Sequence, residues 1–501
     1  MYCATATTTD SLDRRYLDFA ARTKDIFAQF PQLEPLRHSI FKDLLIQRNA
    51  YTDMDTVKHW LRPMLRSGRS RGTLTWTDVL IWVESCREVI VDALVPLYLN
   101  LVERGIKVQL ASFGGPANLP SPTLEFRYPA RAVAPPWVRN AWEALCQEVE
   151  ELRDGSLEQT FSYACANNQG LLDEINRIQD IVQPTVVITA STQLSGGAAL
   201  MVSSQPHVRL LLQHGILQPF YTPLLADYML TWGQSSNDVL IDLGVAPNKL
   251  VALGSPRHDS FKPSTDGNGR ATLSEVLSLP RKPTLVFFSN GNDLLRNGDA
   301  PVDCAEWLES TASRYVDEIN VVVRLHPNED GSLYQHCSHL TITKGSPDLV
   351  TTLEGCDWVG SLCSTVLYDA LIYRKPVLQF YAEGWPELAD NWKCGLARRI
   401  SSQDDLNEIV DARLDCESFE SVDESLMDQV FANHGRATEC VADFVQDQLE
   451  KRRYRTSGES GIVDRSSRVE IAADPFKKNG PIPTVSNQTD EKPSDSVHLV
   501  V

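Results

Sequence analysis

Residues 319–378 constrain the fold of this chain more than any other stretch. Ile319-Asn320-Val321-Val322-Val323 has the pattern of a buried strand and runs straight into Arg324-Leu325-His326-Pro327. After a polar interval, Asp357-Trp358-Val359-Gly360 reads as a second strand, and Ser364 to Tyr373 as the helix that follows it. Lys375-Pro376-Val377-Leu378 opens the next strand. One strand therefore ends in a cation and an imidazole, and another in the two hydroxyls of Ser364 and Thr365 where a helix begins. Donors gathered this way at the carboxyl edge of a parallel sheet suit an anion. The stretch is expected to recognise the phosphate of a nucleotide-activated donor.

The chain has 501 residues, too many for one core, and 42% apolar against 23% charged residues marks an ordinary globular protein. A formal charge of -19 argues against nucleic acid as a partner, because binding its phosphate backbone needs a net basic surface. Eleven scattered cysteines without a Cys-x-x-Cys pair suit reduced thiols. Met1-Tyr2-Cys3-Ala4-Thr5 lacks a signal-peptide profile, so a cytoplasmic location is expected. The most apolar region, 79–102, is interrupted by Glu84, Arg87, Glu88 and Asp92, so no transmembrane segment is expected. A peripheral contact at the inner face of the membrane stays open.

The first 75 residues read as a helical N-terminal prefix, from the spacing of Leu17, Phe19, Ile26 and Phe27 and of Leu36, Ile40 and Leu44. Asp53-Met54-Asp55 has the spacing of a metal-binding pair but sits in this helical, polar setting, so it reads as surface. From Val79 to Leu110 a strand, a helix and a second strand form the seed of a doubly wound sheet. Gly114-Gly115-Pro116 and the prolines up to Pro136 read as one long loop. Further strands are expected at 185–189, 208–212, 226–232 and 250–254. His214 and Gly215 close the second of these, which would present an imidazole at the sheet's carboxyl edge.

The breaker-rich run Lys262 to Arg270 reads as a domain boundary and hinge. A second parallel sheet follows, opening with the strand that ends in Ser289 and Asn290. The expected fold is α/β: two doubly wound, Rossmann-like domains at 76–262 and 275–453, facing a cleft. A disordered tail is expected over 454–501. Glu329-Asp330-Gly331 reads as a surface turn, and His336, Cys337 and His339 as a solvated loop rather than a metal site.

Gln213-His214-Gly215, Gly254-Ser255-Pro256-Arg257-His258-Asp259, Arg324-Leu325-His326-Pro327 and Cys363-Ser364-Thr365-Val366-Leu367-Tyr368-Asp369 occur in an order and spacing that resemble bacterial surface-polymer transferases of the GT-B architecture. These are the CDP-glycerol glycerophosphotransferases of teichoic acid synthesis and capsule-type glycosyltransferases. The resemblance implies a donor held mainly by the second domain, with His326, Ser364 and Thr365 at its phosphates and His214 facing the reacting centre. Gly215, Arg257, Ser289, Arg324 and Asp369 are the further expected substrate-binding residues. Departure of a nucleotide leaving group builds charge on phosphate oxygen, which fixed donors and the helix opening near Ser364 would stabilise. His214 is the candidate base, with Glu84 in reserve. Neither metal nor cofactor is then required.

The expected activity is transfer of a glycosyl or polyol-phosphate group from a CDP-, CMP- or UDP-activated donor to a saccharide or surface-polymer acceptor. Two alternatives stand beside it. One is a non-hydrolysing nucleotide-sugar 2-epimerase, which shares the architecture and a histidine-proline element. The other is a nucleotide-binding or scaffold protein of this fold without turnover.

Overall fold

The computed structural model describes residues 12–46 and 68–457, apart from 86, 114–118, 132, 154, 204, 206, 265–267, 291–299, 382–390, 392–393 and 415–423. Asp53-Met54-Asp55, Gly114-Gly115-Pro116 and the tail beyond Ser457 lie outside the described residues. Two parallel sheets form. The first joins β1 (Val79–Val83), β2 (Val108–Phe113), β3 (Thr123–Phe126), β4 (Val186–Thr189), β5 (Val208–Leu212), β6 (Tyr228–Thr231) and β7 (Leu250–Ala252) in the order β3-β2-β1-β4-β5-β6-β7. The second joins β8 (Thr284–Phe288), β9 (Asn320–Arg324), β10 (Thr341–Thr343), β11 (Trp358–Ser361), β12 (Val377–Phe380) and β13 (Arg398–Ile400) in the order β10-β9-β8-β11-β12-β13. In each sheet the winding reverses once, between β1 and β4 and between β8 and β11. Ligands bind open α/β sheets at the carboxyl ends of the strands flanking such a reversal.

Alternation along the strands divides each core into two layers. Leu80 and Trp82 of β1 face a layer built from Leu171, Ile175, Ile178 and Leu200, while Val79, Ile81 and Val83 face Ile90, Leu94, Leu97 and Leu101. In the second sheet Leu285 and Phe287 pack with Leu308 and Ile409, and Val286 and Phe288 with Leu367 and Leu371. Residues 12–46 are helical and share a separate core with the helix Trp137–Glu148 and the start of the helix Ser156–Val182: Tyr16, Phe19, Phe27 and Phe41 meet Trp142, Leu145 and Phe161.

The structure corrects the sequence reading in two places. The expected long loop contains β3, in which Thr123-Leu124-Glu125-Phe126 alternates polar and apolar residues, and Leu124 and Phe126 are buried against the first sheet's core. Surrounding prolines hid a strand that, being at the sheet's edge, tolerates them nearby. The last helix, Ala437–Ser457, was expected to belong with the second domain, but its Val441, Ala442, Val445 and Leu449 are buried in the core of the first. The chain thus crosses between domains twice, outward after β7 and back near 430–437. Among the described residues no helix is long and apolar enough to cross a membrane.

Candidate active site

In the first domain the reversal between β1 and β4 places Glu84 just beyond β1, 7% exposed. Its Oε1 accepts from Gly196 N (3.1 Å), and its Oε2 from Trp82 Nε1. Gly196 lies in the first turn of the helix Ser195–Val202, and a Cβ there would overlap Glu84 Oε2, so only glycine lets the helix approach this closely. Glu84 therefore receives the N-terminus of that helix rather than of the one next in sequence. Burial pushes its carboxyl up to about 7 despite these hydrogen bonds.

β5 leads directly into Gln213-His214-Gly215. Gln213 fixes this turn: its Oε1 accepts from Trp232 N, its carbonyl from Trp232 Nε1 (2.9 Å each), and its Nε2 donates to Gly215 O (3.1 Å). His214 Nδ1 bonds the carbonyl of Ala190, which can only accept, so Nδ1 carries the proton and Nε2 keeps its lone pair. Burial, aided by the positive charge of Arg87, lowers the imidazole to about 4, so it is neutral at physiological pH. Tyr221 Oη lies 3.3 Å from the same Nδ1.

In the second domain the reversal between β8 and β11 is closed by Asn290. Its Oδ1 accepts from Ser361 Oγ (2.9 Å) and Cys363 N (3.1 Å), and its Nδ2 donates to Cys363 O. This holds the turn that presents Ser364 and Thr365, both half-buried. The helix begins at Val366 and has seven residues, and Val366 N already donates to Ser364 Oγ (3.3 Å). The helix-end contribution expected at Ser364 is correspondingly reduced.

His326 lies beyond β9, its backbone N donating to Ser289 Oγ (2.7 Å). Asn328 N donates to His326 Nδ1 (3.3 Å), which assigns the ring proton to Nε2. Burial, with Arg87 and Lys344 adding to it, lowers this imidazole as well. The two histidines thus take opposite tautomers, His214 offering an acceptor at Nε2 and His326 a donor. Across the cleft, a Cβ on Gly215 would stand 3.5 Å from Thr365 Cγ2, so the two motifs are brought together.

Other expected binding residues are engaged elsewhere. Arg257 and Asp369 hold each other: Nη1 and Nη2 donate to Oδ1 (2.9 Å) and Oδ2 (2.8 Å), with 5% and 1% of the side chains exposed. Burial alone would raise Asp369, yet Arg257 and His258 keep it below the usual carboxylate range. This pair bridges the domains and is not presented to a ligand. Arg324 gives Nη1 to Pro347 O and to Thr352 Oγ1 (3.1 Å), bracing the loop after β10. Ser289 donates to Glu329 Oε2. Glu329 is buried and also accepts from His326 N (3.2 Å), so only Asp330 and Gly331 form the expected surface turn. His339 Nδ1 lies 2.7 Å from Glu309 Oε1, and among the described residues no three His, Cys, Asp or Glu side chains are grouped to hold a metal.

Sequence reasoning missed three residues. Arg87 heads the helix Glu88–Glu103 and acts electrostatically on both His214 and His326. In the sequence it only interrupts an apolar run, although it lies three residues beyond Glu84 at the same sheet edge. Asn290 could have been found from its place after Ser289 at a strand end. Tyr221 carried no sequence signal, since its approach to His214 depends on the turn between them.

No protein-family model matches the chain, and no curated protein does. Solved structures match its fold. S. aureus MnaA, in a co-structure with UDP, is 12% identical and covers 74% of this chain and 96% of its own, with a TM-score of 0.50. The UDP-GlcNAc 2-epimerase of Methanocaldococcus jannaschii, in complex with UDP-GlcNAc and UDP, is 14% identical over 74% of this chain and 99% of its own, at 0.49. The wall teichoic acid polymerase TagF, with CDPG, is 11% identical over 88% and 98%, at 0.44. At these identities the likeness is one of fold, and the match to MnaA carries it. This chain has the two-domain GT-B architecture.

Proposed function

We propose that the chain is a GT-B enzyme that binds a nucleotide-activated donor of CDP, CMP or UDP type in its cleft. It transfers a glycosyl or polyol-phosphate group to a saccharide or surface-polymer acceptor. The observation that carries this reading is the approach of Gly215, next to His214 in the chain, to Thr365 across the cleft, with Arg87 acting on both His214 and His326. In this reading His326 Nε2–H and the hydroxyls of Ser364 and Thr365 donate to the leaving phosphate, where negative charge develops. His214 Nε2 accepts the proton of the attacking hydroxyl. An imidazole at about 4 is a weak base, but a phosphate bound nearby would raise its affinity for a proton. Arg87 supplies positive charge to both.

Calorimetric titration with UDP, CDP and CMP tests the phosphate assignment. UDP is the first probe, because MnaA of the same fold is described with it. Loss of a donor to a charged phosphate is worth about 1.5–3 kcal/mol, so His326→Ala should weaken binding roughly 10- to 100-fold. His214→Ala should leave it nearly unchanged and abolish turnover. Undiminished binding by His326→Ala, or binding of no nucleotide by the wild type, would end this reading.

A second reading, a nucleotide-sugar 2-epimerase, is favoured by Glu84, because a carboxyl at about 7 can both take and return a proton at neutral pH. Incubation with UDP-N-acetylglucosamine separates the two: an epimerised sugar supports this reading, and transfer to an added acceptor supports the first. Nucleotide binding with neither product would favour a binding protein.

A further inference from the structure

Between Gly215 and β6 the chain makes a tight turn, Pro219–Tyr221, locked by Thr222 Oγ1 donating to Pro219 O (2.7 Å) and Tyr221 N donating to Gln218 O (3.0 Å). Consecutive side chains of this turn belong to different cores. Phe220 packs with the N-terminal helical core, its ring 4.6 Å from Tyr16, 5.5 Å from His38 and 6.1 Å from Phe41. Tyr221, 2% exposed, belongs to the core of the first sheet and brings its ring within 6.1 Å of His214, its hydroxyl 3.3 Å from Nδ1. Two polar contacts fasten the turn to the prefix: Tyr16 Oη donates to Thr222 O (2.7 Å), and the His38 ring hydrogen-bonds the Phe220 backbone.

We propose that the N-terminal helices are a positioning module for His214, acting through Phe220, Tyr221 and Thr222 to hold its imidazole in one orientation and one tautomer. Two groups meet the ring at Nδ1: the Ala190 carbonyl, beyond β4, accepts its hydrogen bond, and Tyr221 Oη lies 3.3 Å from the same nitrogen. β4 is fixed by the sheet, whereas the turn carrying Tyr221 has its outer anchors in residues 12–46. Loosening those anchors lets Tyr221 withdraw, and the imidazole can then rotate or exchange its proton between nitrogens. Tyr16, Phe220 and Tyr221 are positioning residues in this scheme, since none is assigned to the reacting atoms. The catalytic meaning of the module rests on His214 being the base; its effect on the imidazole does not.

The test is a long-range proton–nitrogen NMR spectrum of the full chain labelled in histidine, which distinguishes the two neutral tautomers. His214→Gln assigns the signal among the ten histidines. The wild type should show His214 as the Nδ1–H form. Tyr16→Phe, which removes only the bond to Thr222 O, and Phe220→Ala, which removes the plug, should each shift the tautomer ratio about fivefold toward Nε2–H, the effect of losing one ordinary hydrogen bond's worth of restraint. Phe220→Leu, which refills the plug, should restore it. The His326 signal should stay unchanged in every variant, reporting an intact second domain. A His214 signal unmoved by Phe220→Ala, in a sample whose lowered melting temperature shows that prefix packing is lost, would overturn the proposal. Because no substrate is involved, a negative nucleotide titration would count against the functional reading alone.

Discussion

Burial acts on Glu84 and His214 in opposite chemical directions with one electrical result, because a low-dielectric site disfavours whichever form is charged. The carboxyl rises to about 7 and the imidazole falls to about 4, so near physiological pH the imidazole is neutral while the carboxyl is shared between its two forms. The consequences for stability are opposite. For Glu84 the folded pKa lies above the ordinary value of 4.5, so its contribution is intact below about 4.5 and is lost as pH rises through about 7. The full shift corresponds to at most about 3 kcal/mol. For His214 the contribution is intact above 6.5 and is lost as pH falls toward about 4. Glu84→Gln should therefore lower the melting temperature near pH 5, where glutamine cannot accept from both Trp82 and Gly196, and narrow that deficit by pH 8. A deficit independent of pH, measured by thermal denaturation across this range, would mean that Glu84 titrates normally. The placement of His214, His326, Ser364 and Thr365 beyond strand ends was legible in the sequence because each follows a recognisable buried strand. The partners of Arg257 and Arg324 were not, since a sequence displays a cation but not the carbonyl or carboxylate that occupies it.

At the scale of elements, the run Gly254 to Asp259 turns out to be the joint of the molecule. Arg257 reaches Asp369 in the second domain, while both oxygens of Asp259 accept from the first turn of the returning helix, from Ala437 N (3.0 Å) and Thr438 N (2.7 Å). Gly254 has φ +90, and a Cβ there would overlap Ala432 O on the returning segment. Three features of six consecutive residues thus serve the crossing points of the chain. Because Arg257 and Asp369 are almost wholly buried, removing one partner leaves an uncompensated charge, and Arg257→Ala should cost roughly 3–5 kcal/mol in urea denaturation. Replacing both, by Arg257→Met with Asp369→Leu, should recover most of that loss. Equal losses in the single and double variants would show that the site tolerates no apolar filling and that charge is not the issue. The element pattern of both sheets was readable from buried strands alternating with helices. β3 escaped because a four-residue edge strand between prolines carries too little periodicity to stand out.

At the scale of the whole molecule, two sheets meet where Gly215 approaches Thr365, a helix returns to the core of the first sheet, and an N-terminal helical core packs beside it. The sequence pointed to a hinge at 262–270, of which 265–267 lie outside the described residues, but it could not reveal the second crossing near 430–437. That helix's apolar face looks the same whichever domain it covers. Nor could the spacing of Leu, Phe and Ile in the prefix show that its core reaches the turn beside His214, because the connection runs through the contacts of one short turn, the ring of Phe220 and the carbonyl of Thr222 among them. The central claim is that Gly215 and Thr365 face each other across this cleft, and cysteine crosslinking tests it most directly. A protein carrying Gly215→Cys and Thr365→Cys should form a 215–365 disulfide on mild oxidation, since side chains this close suit its geometry. Peptide mapping by mass spectrometry should find that bond in the double variant and in neither single one. Folded double variant that yields no 215–365 bond would contradict the account.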